Sequence, residues 1–500
     1  MRLVAQRLYG AVLAVALAVL VVAPTYSQSD VVPTTSARLA DLAARRERAM
    51  AALGSETVLV LWSAPTRTYS RDIDYEYRQD STLFYLSGVT EAQTVLVLVP
   101  GSTTRRAFLF ARQADPFREL WYGHVPTPAE LTARSGIDAV FPQRGMEAFD
   151  AFISGVLGGE TSGTTLPEFA AIRAALQRGD AKLAIAYPLD ATDADAAPHL
   201  AWAREQQRRY PGLTVVSASD VLMAERQIKT PYEQGILKQS VAISADAHVE
   251  GMRATRPGRW EYEVESVIEA WFLRHGAMSW GYPSIVASGP NALTLHYLDS
   301  SRQMQRGDLL LVDAAGSYEG LTGDITRTYP VSGKFSVDQR AIYDLVLRAQ
   351  DAGIAAARPG RPVDDVTKAV RATFAAGLLE LGLISAEGPE PDAQVSLWFP
   401  HSPVHGIGLD VHEPLALLDV GTAFVIEPGL YIRPDALDRL PSTPANTALA
   451  ARLAPAVARY RNIGVRIEDS FLMTASGPVM LSARAPRRAI DIERVVGRGR

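Results

Sequence analysis

The stretch LLLVDAAGSYEGLTGDITRTYPV, Leu309 to Val331, places one aspartate in each of two strand-like runs flanking a turn-like centre, Ser317 to Gly320. Neither Asp313 nor Asp324 is at the turn, where aspartate is common. A turn centred between Tyr318 and Glu319 sets Asp313 directly opposite Asp324. Facing side chains in an antiparallel pair are only ~5 Å apart at Cβ, and like charges there are destabilising. Two readings satisfy that constraint. Either the register slips and exposes one aspartate, or a cation lies between the two and reverses the sign of their interaction. A cation needs further ligands, which the rest of the chain must supply.

Three of the eight histidines, His401, His405 and His412, fall in FPHSPVHGIGLDVHEP, and His296 lies in LHY. Pro403, Gly406 and Gly408 make that segment a poor helix, so His401 and His405 are not a helical zinc pair. FVIEPGLYI puts Glu427 at the end of an apolar strand, where a simple strand-ending turn would also account for it. GVRIEDSFL puts Arg466 and Glu468 on one strand face, with Val465 and Ile467 on the other. Alone, that pair reads as a surface strand with an internal salt bridge. Together the pieces fit one account. Asp313, Asp324, Glu427 and Glu468 carry four negative charges, His405 adds a neutral ligand, and two divalent cations balance the carboxylates. Without metal, carboxylates so clustered cannot all stay ionised. Two metals about 3.5–4 Å apart, bridged by carboxylates and a hydroxide, form a hydrolytic centre. Oxygen-rich ligation with one imidazole suits manganese, cobalt or zinc better than copper.

Five hundred residues suggest two or three domains. Apolar residues make up 47% and charged residues 21%, the balance of a water-soluble globular chain. A net charge of −5 gives no reason to expect nucleic acid as a partner. Residues 1–27 read as a secretory signal peptide: Arg2 and Arg7, an uncharged apolar run from Ala11 to Ala23, then small residues before Gln28. That run is short for a membrane span of ~20 residues. The expectation is export to the periplasm or beyond, with no stable membrane insertion after cleavage. There is no cysteine, which excludes disulfides, thiolate ligands and a cysteine nucleophile.

Short buried strands at 57–64, 94–100, 107–111 and 182–188, separated by helical stretches, imply an α/β domain over residues 28–222. Thr230, Pro231 and Glu233 form a helix-start signature, and a long helix is expected to about Ala254. Further helices over 261–276, 337–357 and 363–383, with strands near 422–432 and 463–474, imply an α+β domain over residues 223–485. Residues 434–461 read as a long loop that lids a cleft or serves an interface. Residues 486–500 read as a solvated basic tail.

The blocks VDAAGSYEGLTGDITRTYPVSGKF, HGIGLDVHEP, IEPGLYI and GVRIEDS, in this order and with LHY ahead of them, resemble the pita-bread metallopeptidases. Within that group the match is to aminopeptidase P and its relative prolidase. YEYRQDSTLFYLSGVTEAQTVLVLVPG and ELWYGHVPTP resemble the creatinase/prolidase-type N-terminal domain, so the likeness covers about residues 35 to 480. It implies metal ligands Asp313, Asp324, His405, Glu427 and Glu468. It puts His296 and His412 beside the substrate carbonyl, His401 at the rim of the pocket, Arg466 behind the carboxylates and Tyr431 close by. The implied reaction is hydrolysis between an N-terminal residue and a following proline by a metal-bridging hydroxide, with Glu427 moving the proton and Mn2+ the first choice of metal. Peptides with proline second are the implied substrates, and the N-terminal domain implies a homodimer or homotetramer. Prolidase, restricted to dipeptides, and a non-catalytic scaffold remain as alternatives. Ser470 departs from the family pattern, where a second aspartate is common.

Overall fold

The computed structural model describes residues 35–158, 167–387 and 389–498. The signal-peptide reading of residues 1–27 lies outside them. Among the described residues, no helix is long and apolar enough to cross a membrane.

Thr35 starts the helix Ser36–Leu53 by accepting a hydrogen bond from the Arg38 amide, and Gly54, at φ 84°, ends it. The strand Thr57–Trp62 is buried at every position, which explains its unbroken apolar run. Val58, Val60 and Trp62 face one core, and Leu59 and Leu61 face another. Across the six-stranded sheet the order is Ala139–Gln143, Ala107–Arg112, Val95–Leu98, Thr57–Trp62, Ala181–Ile185 and Leu213–Ser217. Val95–Leu98 runs antiparallel to both neighbours, and the other pairings are parallel. The core on the Leu59 side continues into the second half of the chain, through Leu237, Val241, Ile407 and Leu409.

The second half opens on the expected capping box. Thr230 Oγ1 accepts from the Glu233 amide and Glu233 Oε2 from the Thr230 amide, at the start of the helix Pro231–Ala254. That helix packs beside Glu261–Arg274, and Val337–Ala356 packs beside Val363–Glu380. The two pairs flank short antiparallel sheets. One runs Ile285–Ser288, Leu309–Asp313, Thr326–Pro330, and another runs Ala423–Ile426, Asp469–Thr474, Gly477–Met480. Gly429–Tyr431 pairs with Gly464–Arg466. The α/β half followed by an α+β half is the expected fold class.

Three expectations are corrected. The opening hairpin turns one residue later, at Glu319 and Gly320, both with positive φ (46° and 81°). A two-residue turn of this kind matches strand twist and favours glycine second, which only this placement supplies. Asp313 therefore faces Thr326, not Asp324. Residues 434–461 are not a loop over the cleft. They hold the helix Pro444–Tyr460, whose Leu449, Leu453, Val457 and Tyr460 are buried in the main core of the second half. Nor are residues 486–498 a solvated tail. Ala489, Ile492 and Val496 join the same core, and the Gly497 amide donates to Met252 O.

Candidate metal centre

The four acidic candidates share one local feature: each sits where a strand ends or breaks. Asp313 is the last residue of Leu309–Asp313, and Asp324 lies between Leu321–Thr322 and Thr326–Pro330. Glu427 separates Ala423–Ile426 from Gly429–Tyr431, and Glu468 separates Gly464–Arg466 from Asp469–Thr474. Pro428 has no amide hydrogen to continue a ladder. Its carbonyl accepts from the Ile467 amide, so the two broken strands kink side by side. The breaks turn four carboxylates toward one point.

Ligand-type atoms of Asp313, Asp324 and Glu468 lie within 4.8 Å of one another, as do those of His405, Glu427 and Glu468, and those of Asp324, His405 and His412. His405 Nε2 is 3.3 Å from Glu427 Oε1 and 3.8 Å from both Asp324 Oδ2 and Glu468 Oε1. His405 Nδ1 lies 3.0 Å from Gly406 O. A proton on Nδ1 satisfies that carbonyl, so it is Nε2, once deprotonated, that offers a lone pair toward the carboxylates.

Among the described residues, one guanidinium backs the cluster. Arg466 Nη2 donates to Asp313 Oδ2 at 2.6 Å, its Nη1 to Tyr431 Oη at 2.9 Å, and its Nε to Thr326 Oγ1 at 3.0 Å. Thr326 Oγ1 in turn donates to Glu468 Oε2 at 2.8 Å. His401 Nε2 lies 3.0 Å from Tyr431 Oη, and its Nδ1 lies 3.7 Å from Glu427 Oε2. Gly429 lets the Tyr431 ring fold back: a Cβ there would lie 2.5 Å from the Tyr431 hydroxyl. His412 stacks edge-on against His405, with ring centroids 4.4 Å apart, and His296 is close enough to bear on its charge.

The electrostatics are those of a site short of positive charge. Burial pushes Asp324 well above the usual carboxylate range, and Glu468 and Asp313 push it further. Burial, then Glu427 and Asp313, raise Glu468 to about 8. Burial opposes ionisation of Asp313 too, but Arg466 and Tyr282 outweigh it and hold its carboxyl low. Burial alone would lower His405, yet Glu427 and Glu468 raise it to about 9. Burial lowers both His401 and His412, which favours their neutral forms. Glu468 Oε1 is buried with no hydrogen-bond partner. That orphaned oxygen, inside four carboxylates and one lone-pair imidazole, is what a divalent cation would satisfy. The donor set fits oxygen-preferring divalent metals.

Sequence reasoning missed two residues. Tyr282 Oη lies 2.6 Å from both Asp313 Oδ1 and Asp324 Oδ1. One hydroxyl proton serves one carboxylate, so without metal the second contact needs a protonated acid, in line with the raised Asp324. Tyr282 is far in sequence from both partners and gave no local signal. Thr326, which joins Arg466 to Glu468, could have been found from its alternation with Asp324.

The family model for metallopeptidase family M24 matches residues 235–475, and that for the aminopeptidase P N-terminal domain matches residues 42–162. The chain is 33% identical over 461 residues to a Xaa-Pro aminopeptidase of Escherichia coli, covering 90% of this chain and 96% of that relative. It is 32% identical over 474 residues to one of Haemophilus influenzae, with the same coverages, 90% and 96%. Among solved structures, Pseudomonas aeruginosa aminopeptidase PepP superposes with a TM-score of 0.76 at 30% identity, covering 93% of this chain and 98% of that one. Zinc-substituted E. coli aminopeptidase P in complex with product gives 0.73 at 30%, covering 91% and 97%. The chain belongs to metallopeptidase family M24, in its aminopeptidase P branch.

Proposed function

We propose that this protein is an exported dinuclear metallo-aminopeptidase that releases the first residue of peptides with proline second. The observation that carries the reading is the orphaned Glu468 oxygen within a buried set of four carboxylates and His405. Asp313, Asp324, His405, Glu427 and Glu468 would hold two divalent cations, with manganese preferred and cobalt or zinc as alternatives. When bound, such a pair supplies Lewis acidity and a hydroxide nucleophile at neutral pH.

The chain's own residues do the rest. Glu427 takes the proton of the attacking water and delivers it to the proline nitrogen, which needs one to leave. His296 and His412 donate to the developing oxyanion, and the lowered His412 suits a neutral imidazole donor. Arg466 keeps Asp313 ionised, and His401 with Tyr431 lines the rim beside Glu427. In Glu427→Gln samples that still carry metal, turnover should be lost. Full turnover with metal retained would remove Glu427 from the proton path.

Export rests on the layout of residues 1–27, and N-terminal sequencing of the fractionated protein tests it. Self-association as a dimer or tetramer is supported by Phe117, Leu120, Trp121 and Tyr122, all exposed on the short helix Pro116–Tyr122, and sedimentation tests it. The central experiment compares an Xaa-Pro dipeptide with a longer Xaa-Pro peptide, after chelation and after adding back manganese, cobalt or zinc. Metal-restored release from the longer peptide supports the aminopeptidase. Activity on the dipeptide alone makes it a prolidase, and no turnover in a folded sample favours a scaffold.

A further inference from the structure

The segment carrying His412 is clamped by charges from outside its own sheet. Residues 406–413 form a closed excursion: the Gly406 amide donates to Glu413 O at 3.0 Å, and the Glu413 amide to Gly406 O at 2.9 Å. Inside it, the Gly408 amide donates to Asp410 O and Gly408 O accepts from the Thr322 amide. The glycines make room for Glu413. A Cβ on Gly408 would lie 2.5 Å from Glu413 Oε1, and one on Gly406 would lie 2.9 Å from Glu413 O. His412 immediately precedes this closure.

Glu413 is buried, and each of its oxygens meets one cation. Arg226 Nη2 donates to Oε1 at 2.7 Å and Lys229 Nζ to Oε2 at 2.7 Å. The same Arg226 nitrogen reaches Asp410 Oδ2 at 2.6 Å. Ser81 Oγ donates to Asp410 Oδ1 at 2.8 Å, and Arg78 Nη2 donates to Leu409 O at 2.6 Å. Arg226 belongs to the helix Ser219–Gln227, and Lys229 to the connector that precedes Pro231. Arg78 and Ser81 belong to the N-terminal half. Buried ions are tolerable only when paired, and here two buried cations face two carboxylates. Among the described residues, none of Arg226, Lys229, Asp410 and Glu413 bonds to Asp313, Asp324, Glu427 or Glu468. The cluster reaches the chemistry through the backbone: on either side of His412, and across the Gly406–Glu413 pair to the residue after His405.

We propose that Arg226 is a positioning residue for His412. By holding Asp410 and Glu413, on either side of His412, it aims the imidazole at the reacting carbonyl. Arg78 and Ser81, bonded to the same segment, bring the N-terminal half into the reaction of its own chain. The inference rests on the role given to His412 above.

The test uses the full metal-loaded chain with R226M, R226K and D410N. R226M should lower kcat on an Xaa-Pro peptide about 10- to 100-fold, with KM within about twofold and metal content unchanged. R226K should recover part of the loss, since it keeps the charge but not the reach to both acids. Asp410 is partly exposed, so D410N tolerates the change and should lower kcat about three- to tenfold. A second readout is the imidazole NMR resonance of His412 in the metal-free chain, identified by its loss in H412Q. It should move in R226M and D410N while that of buried His248 stays. Unchanged kcat with an unmoved His412 resonance in folded variants would overturn the proposal. So would a fall in kcat that tracks loss of metal. A wild-type chain with no turnover would instead sink the functional reading, and the resonance alone would then decide the positioning.

Discussion

Glu468 and Asp469 are joined by one peptide bond, yet their carboxylates end in two different environments. Asp469 Oδ1 accepts from Arg327 Nη2 and Ser482 Oγ, both at 2.5 Å, and its Oδ2 accepts from Gln350 Nε2 at 2.9 Å. Both it and Arg327 are completely buried. Arg327 is satisfied in turn by the carbonyls of Thr326, Glu468, Ala485 and Pro486. Glu468 has one bond, from Thr326, and an orphaned oxygen facing other acids. Asp469 meets its countercharge within the chain. Glu468 faces a shortage that none of the described residues fills. Burial therefore does not distinguish a structural acid from a functional one, whereas the bookkeeping of partners does.

The largest expected effect breaks the functional side. E468Q should cut peptidase activity at least about a hundredfold and lower the bound metal measured by elemental analysis. Its metal-free unfolding free energy should hold or rise, because folding forces Glu468 either to take up a proton or to bury an uncompensated charge, and Gln does neither. D469N should do the reverse. It strands Arg327 and should cost about 3–5 kcal/mol in urea unfolding. Equal destabilisation by both variants would erase the contrast.

Next comes the pH dependence of metal binding. Near neutral pH the metal-free site holds protons on Glu468, raised to about 8, and on His405, raised to about 9. Both must leave before these groups ligate, so affinity rises with pH and binding releases protons. From pH 6 to 8, with both protons leaving, the gain should be on the order of a thousandfold, read by calorimetry in buffers of different ionisation enthalpy.

Y282F sharpens the same side. It removes the hydroxyl shared by Asp313 and Asp324 and should weaken metal binding about tenfold, seen by competition with a chelator. The smallest effect belongs to Ser470, the departure from the family pattern. Ser470 Oγ accepts from the Asp324 amide at 3.0 Å and donates to Asp324 O at 2.7 Å, steadying the backbone of a candidate ligand. S470A should cost about 1 kcal/mol of stability and a few-fold in metal affinity.

Much of the fold was legible because its signals are local. The capping box at Thr230 and Glu233 needs only four residues, and the unbroken apolar run in Thr57–Trp62 needs six. The hairpin was legible but not its register, since Gly320 draws the turn one position along. The helix Pro444–Tyr460 was misread because proline and small residues mask its buried stripe. The last residues looked like a basic tail because Ala489, Ile492 and Val496 are sparse among charges. Tyr282 was invisible because its partners lie 31 and 42 residues away.

By itself the sequence determined the candidates: four acids and an imidazole in strand-like and glycine-rich settings, a donor set that a cation would join, whatever brings them together. Only the tertiary structure decided which acids lack a countercharge. Asp313 has Arg466 and Asp469 has Arg327, while Glu468 keeps an oxygen with no partner. That distinction depends on which cation from a distant segment arrives within bonding distance. Pairing of that kind is set by strand breaks and by packing between segments more than a hundred residues apart, neither of which leaves a periodic trace in the chain.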